Sequence, residues 1–161
     1  MTIARVLVGL LVVPLAMAAV PAAAQVSSPG TPSAGAPSPG EPAFVEHRLT
    51  LQLSDAGEDK QSQVLSVAFN ILKVYGPDKV AIDIVAFGPG IDLLREGNAN
   101  GQRISSLVAQ GVRFDACMNT VTTIERNTGK PYPLNPLAHQ VEAGVARILT
   151  LAEHGYTAVR P

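Results

Sequence analysis

The sequence predicts an α/β fold: three layers, α/β/α, around a mainly parallel five-stranded sheet. Three observations lead there. Residues 47–53 alternate, with Leu49, Leu51 and Leu53 on one side and Thr50 and Gln52 on the other, the period of a strand. Val80–Phe87 is a near-continuous apolar run interrupted by Asp83, as expected of a central strand buried on both faces. Between and after these runs, segments with helical spacing alternate with short extended ones, the pattern of the strand–helix–strand units that build parallel sheets.

Each element has its own signal. After the first strand, Asp55 and Glu58 stand at the three-residue spacing of a helix start. The helix runs to about Tyr75, with Val64, Ala68, Ile71 and Tyr75 on one stripe, Leu65 and Leu72 beside them, and Gly76-Pro77 as the stop. Gly88-Pro89-Gly90 ends the second strand as a tight turn, and Ile91–Arg95 reads as a short helical turn. Gly101–Gln110 is a helix with Ile104, Leu107 and Val108 on its apolar side, closed by Gly111. Val112–Ala116 is a third strand, Cys117 follows it, and Asn119–Asn127 forms a short helix. The stretch 128–136 carries Pro131, Pro133 and Pro136 and is a loop. His139–Val141 is a brief fourth strand. Val145–His154 is a helix whose apolar side groups Val145, Ile148, Leu149 and Ala152. Gly155 ends it before a last strand, Tyr156–Val159.

This domain, 44–161, is expected to follow two other segments. Arg5 is the only charged side chain in the first forty residues; an apolar run from Val6 to Met17 and then Ala22-Ala23-Ala24 follow it. That is the layout of a secretory signal peptide, 1–24, cleaved after about Ala24. Pro14 and the weakly apolar alanines make a poor membrane anchor, since spanning takes roughly 20 strongly apolar residues. No Cys follows the cleavage site to carry a lipid, and no Arg pair marks twin-arginine export. The expected destination is a bacterial periplasm, with no membrane anchor after cleavage. Residues 25–43 read as a disordered linker. Five Pro, three Gly and four Ser among residues 26–43 leave too little apolar surface to offset the entropy of ordering.

Composition narrows the function. The formal net charge of −1 gives no basic excess for a phosphate backbone, so no nucleic-acid partner is expected. Trp is absent and aromatics are only 4%, which argues against a stacking surface. The three histidines, His47, His139 and His154, have no metal-ligand spacing, so neither metal nor cofactor is expected. The single cysteine cannot form an intramolecular disulfide. In an exported chain it is a free thiol or an intermolecular partner, or else a small buried hydrophobe.

Position favours the thiol. Ligands of open parallel sheets bind beyond the carboxyl ends of the strands. The segments there are Ser54-Asp55, Gly88-Pro89-Gly90, Cys117-Met118-Asn119-Thr120 and Glu142-Ala143-Gly144. Cys117 also opens a helix, where backbone N–H groups favour a thiolate. Asn119, Thr120, Gly88, Pro89, Gly90, Ser54 and Asp55 are therefore the candidate pocket residues around a candidate catalytic Cys117. Capping and turn formation alone would also explain Asn119, Thr120, Ser54-Asp55 and the glycine turn.

The domain resembles the DsrE/DsrF-like sulfur-relay family, in its exported single-domain branch, over about residues 46–161. The resemblance is carried by Val85-Ala86-Phe87-Gly88-Pro89-Gly90-Ile91, by the segment from Ala109 to Thr120 (AQGVRFDACMNT), and by Gly144-Val145-Ala146-Arg147-Ile148 with Gly155-Tyr156 and Arg160-Pro161. It implies the three-layer fold of the DsrEFH-like type and assembly into a homo-oligomer. It also implies a cysteine, here Cys117, that holds sulfur as a persulfide and passes it between partners. A periplasmic carrier exchanging sulfur or disulfides with a donor or acceptor protein, or with a small sulfur compound, is thus the leading expectation. A carrier of this kind is not a turnover enzyme with a cofactor of its own. Two other readings stand beside it: a small-ligand or protein-binding module with a structural cysteine, and a hydrolase pairing Cys117 with His139.

Overall fold

β1 (His47–Leu53), β2 (Val80–Ala86), β3 (Arg113–Cys117), β4 (His139–Val141) and β5 (Thr157–Val159) form one sheet in the computed structural model, which describes residues 44–161. The expected signal peptide and linker lie outside the described residues. The strand order is β4-β3-β2-β1-β5 and every neighbouring pair is parallel. The fold is therefore α/β, with a sheet that is wholly rather than mainly parallel among the described residues. The central β2 is buried along its whole length. The edge strands β4 and β5 have three residues each and little burial, and such short edges offer a poor template for strand addition.

The connections are α1 (Glu58–Tyr75), a 3-10 helix (Gly88–Leu94), α2 (Gly101–Val108), α3 (Met118–Thr128) and α4 (Gly144–Glu153). From β1 to β4 the chain steps one way across the sheet; from β4 to β5 it jumps back past three strands. Crossovers between parallel strands are right-handed, so reversing the direction of travel moves the helix to the opposite face. Two cores of unequal size result. On the first face, Leu51, Leu53, Ile82, Ile84, Phe114 and Ala116 pack with Val64, Leu65, Ala68 and Leu72 of α1, Ile104 and Leu107 of α2, and Val121 of α3. On the second, Ala81 and Val85 meet only Leu151 and Tyr156, with Ile148, Phe87 and Val45 at the margin.

Four local expectations are corrected. Gly57, not Asp55, caps α1, without a side-chain bond; the Asp55 carboxylate instead accepts the Gly57 N–H at 2.8 Å and shapes the turn before the helix. Gly88-Pro89-Gly90 is the first turn of the 3-10 helix, with Pro89 in the position where a missing N–H costs nothing. β3 extends one residue further, so Cys117 ends the strand as well as capping α3. The apolar side of α4 is not the buried one: Val145 and Leu149 are exposed, whereas Gly144 and Leu151 are buried. A lone helix over a small core needs only a narrow apolar seam.

A charged cluster supplements that seam. Arg147 of α4 donates from Nε to Asp115 at 2.6 Å and from its terminal nitrogen to Asp83 at 2.7 Å. Arg113 donates to the other Asp115 oxygen at 2.7 Å. Asp115 is fully buried and Asp83 is 3% exposed. Two carboxylates and two guanidiniums balance in charge, which is what allows charges to lie under a helix at all. The match is imperfect at Asp83. Burial and the nearby Asp115 carboxylate push its pKa up to about 6, against the pull of Arg147 and Arg113. Thr50, in register with Asp83 on β1, holds a buried hydroxyl with no hydrogen-bond partner among the described residues.

Two predictions follow from packing and charge. A Cβ at Gly90 would lie 2.3 Å from the Leu53 carbonyl oxygen, whereas one at Gly101 meets nothing within 4 Å. Gly90→Ala is expected to destabilise the fold by about 3 kcal/mol, and Gly101→Ala to be neutral or mildly stabilising, by urea unfolding. Asp83 binds its proton more tightly folded than unfolded, so its contribution is greatest at low pH and is lost as pH rises through about 6. Relative to Asp83→Asn, the native protein should lose about 2 kcal/mol between roughly pH 4 and 7. Paired unfolding curves at the two pH values measure it; a constant difference between the two proteins would contradict it.

Candidate functional site

β3 and β4 are neighbours, yet the helices that follow them lie on opposite faces: α3 on the larger core, α4 on the smaller. Where adjacent strands send their connections apart, a crevice opens at their carboxyl ends. Cys117 stands there. The Asn119 N–H donates to the Glu142 carbonyl at 3.1 Å and stitches the two connections together.

Two helix N-termini therefore meet at one sulfur. The side chain of Cys117 is 5% exposed. Burial opposes the thiolate, but the Thr120 hydroxyl and the backbone N–H groups of Gly144, Thr120 and Asn119 favour it and prevail. The thiol pKa is held below its ordinary value. The Cys117 side chain makes no capping hydrogen bond to α3; these groups favour the thiolate by their position around the sulfur. Thr120 Oγ1 accepts the Gly88 N–H at 2.9 Å, which leaves its own hydrogen free for the sulfur. Space at 144 is tight: a Cβ there would lie 3.0 Å from the Phe87 Cβ and 3.3 Å from the Cys117 Cβ.

Next to the thiol, a groove of about 570 Å³ runs between α3 and the 3-10 helix. Its size falls within the roughly 300–1,000 Å³ typical of small-molecule sites. Pro89, Ile91, Ile124 and Tyr132 make apolar walls; Asp92, Asn119, Thr120 and Thr123 supply polar groups. Cys117 does not line it. Thr120 belongs to both places, lining the groove and favouring the Cys117 thiolate. The Pro-rich loop forms the far wall and is tied down: Glu96 N–H donates to the Pro133 carbonyl at 2.8 Å, Asn135 N–H to the Leu94 carbonyl at 2.9 Å, and Tyr132 N–H to the Glu125 carboxylate at 2.9 Å. Arg95 donates to Asp92 at 2.8 Å and holds that carboxyl below its ordinary range. No cationic side chain lines the groove among the described residues.

Of the residues singled out in the sequence, Cys117, Asn119, Thr120, Gly88 and Pro89 come together here. Gly90 is buried against Leu53 and serves the packing of the loop. Ser54 and Asp55 do not join them; they border a separate depression with Lys60 and Arg160, because β1 lies two strands away from β3. His139 is exposed on β4 and in register with Asp115, not Cys117, and no hydrogen bond joins it to the thiol among the described residues. The geometry needed for a Cys–His pair is not present. Sequence reasoning missed the groove walls Ile91, Asp92, Thr123, Ile124 and Tyr132. The spacing of Thr120, Thr123 and Ile124, three and four residues apart, marks one helix face and was the available signal. It also missed the partners of Asp83, since Asp115 and Arg147 are distant in sequence.

No family model matches the chain, and no curated protein does. Among solved structures, the chain is similar to a protein of unknown function from Methanobacterium thermoautotrophicum, with 27% identity and a TM-score of 0.64. That similarity covers 72% of this chain and all of the other, and it supports the α/β fold described here.

Proposed function

We propose that this is an exported, periplasmic thiol protein of the DsrE/DsrF-like sulfur-relay type, in which Cys117 carries sulfane sulfur or forms a mixed disulfide. The observation that carries this reading is the convergence of two helix N-termini and the Thr120 hydroxyl on one sulfur. A thiolate is the reactive form of cysteine, and this surrounding favours it. In the transfer step the Cys117 thiolate attacks the terminal sulfur of a persulfide, R–S–SH. The donor's S–S bond breaks, R–S⁻ leaves, and Cys117 becomes the persulfide. An acceptor thiolate then takes the same sulfur and Cys117 is regenerated as a thiolate, with no net oxidation. The protein acts as a carrier and supplies no cofactor. The groove suits the uncharged, apolar body of a small sulfur compound, since its walls are largely apolar and no cation lines it among the described residues. Val145 and Leu149, exposed on α4, support assembly as a homo-oligomer.

A second reading rests on a specific observation: Cys117 is nearly buried and does not line the groove. On that view the groove binds a ligand and the cysteine is structural.

The two readings separate cleanly. Incubation with a small persulfide donor should add one sulfur atom to the intact mass, removable by reductant and absent in Cys117→Ser. Alkylation of the native protein should set in below the roughly 8.5 of a free cysteine. A thiol that gains no sulfur and reacts only after unfolding would leave the binding-module reading.

A further inference from the structure

The donor from α4 reaches the sulfur only if α4 stays in place. Gly144 is the first residue of that helix, and its N–H is one of the groups that favour the thiolate. Two opposing constraints set its position. Contact limits the approach: the space at the Gly144 α-carbon is closed by Phe87 and Cys117, which a Cβ would meet at 3.0 and 3.3 Å. Retreat is limited by whatever holds the helix down. The apolar seam is thin, Leu151 with the partly buried Ile148, while Val145 and Leu149 face outward. The Asn119 N–H to Glu142 carbonyl bond fixes the segment before the helix, and Arg147, one helical turn after Gly144, ties down the helix itself. It grips Asp115, which lies two residues before Cys117 on the same face of β3, at 2.6 Å, and Asp83 on β2 at 2.7 Å. Arg113 holds the second Asp115 oxygen at 2.7 Å, so the anchor point is itself fixed.

We propose that Arg147 is the positioning residue of the thiol site: by clamping α4 to Asp115 and Asp83 it keeps the N-terminus of α4, with the Gly144 N–H, packed against Cys117. Arg147 does not interact with the sulfur itself. Its role is geometric, and it depends on the two-pronged reach of a guanidinium, which spans two carboxylates where an ammonium serves as a single point charge. The charged and titratable side chains on this sheet face are Arg48 on β1, Asp83 on β2, Arg113 and Asp115 on β3 and His139 on β4, with Arg147 above them from α4. The inference rests on the reading of Cys117 as a working thiol.

The test measures Cys117 acidity in the purified protein, from alkylation rate against pH and from the ultraviolet absorbance of the thiolate, with no sulfur donor present. Urea unfolding of each variant runs alongside. Arg147→Met should raise the thiol pKa by about one unit, so that alkylation near neutral pH slows about tenfold in a protein that is still folded. Arg147→Lys keeps the charge and loses one prong; it should slow alkylation about threefold. Thr150→Ala, an exposed change on the same helix, should leave the thiol unchanged. Should the Met variant fail to fold, the Lys variant decides. A Lys variant with native thiol acidity overturns the proposal, because charge alone would then suffice. A folded Met variant with native acidity overturns it as well, and both of these outcomes leave the reading of Cys117 intact. A native protein whose thiol reacts only after unfolding overturns that reading, and the role of Arg147 with it.

Discussion

Arg147 lies between two buried carboxylates and joins α4, the only helix on one face of the sheet among the described residues, to strands β2 and β3 beneath it. Buried ion pairs are weak as sources of net stability, because desolvation consumes most of the attraction. Their geometry, however, is exacting. An apolar seam lets a helix slide by a fraction of a turn; a guanidinium shared between Asp83 and Asp115 does not. The cost of this arrangement is visible in the raised pKa of Asp83 and in the unpartnered Thr50 hydroxyl beside it. Strands β2 and β3 thus give up good packing on one face in exchange for a defined helix position.

The topology explains why that position matters. Four strands laid down in one direction place α1, α2 and α3 on a single large core. The return to β5 forces α4 across the other face and brings its N-terminus to the β3 carboxyl end. Cys117 consequently receives backbone donors from two helices that are unrelated in the chain. A thiol at one helix start already has some help toward ionisation; here the second helix and Thr120 overcome the penalty of being almost buried. Thr120 has a further part, since it faces the groove on one side and the sulfur on the other and accepts the N–H of Gly88. A molecule settling in the groove would meet a residue that favours the thiolate.

The sequence carries different parts of this arrangement with very different clarity. β1 and β4 were legible to the residue, because alternation and flanking turn signals are local. α1 was nearly so, its stop marked by Gly76 and Pro77, where Gly76 takes a φ of 85°. Its start was misread, since an Asp near a helix entrance can cap the helix or fold its own turn, and Asp55 does the latter. The buried side of α4 was misread for a different reason. Its apolar residues are spread around the helix, and only the sheet and the Arg147 tie decide that Leu151 points inward while Val145 and Leu149 do not. Asp83 was conspicuous as the one charge in an apolar strand. Its meaning depended on Asp115 and Arg147, which no local pattern links to it.

By itself, then, the sequence determined the alternation of strands and helices, the parallel sheet that such alternation builds, and the location of a lone cysteine at a strand end and helix start. All of these rest on interactions within a dozen residues or on the general handedness of the chain. Only the tertiary structure decided that a second helix N-terminus comes to the same sulfur. It alone showed that Ser54 and Asp55 stand apart from it, that His139 is paired with Asp115 in register, and that an apolar groove lies behind Thr120. Those outcomes depend on which strands become neighbours and on which face each crossover takes. Contacts made across the sheet, between residues distant in the chain, settle both.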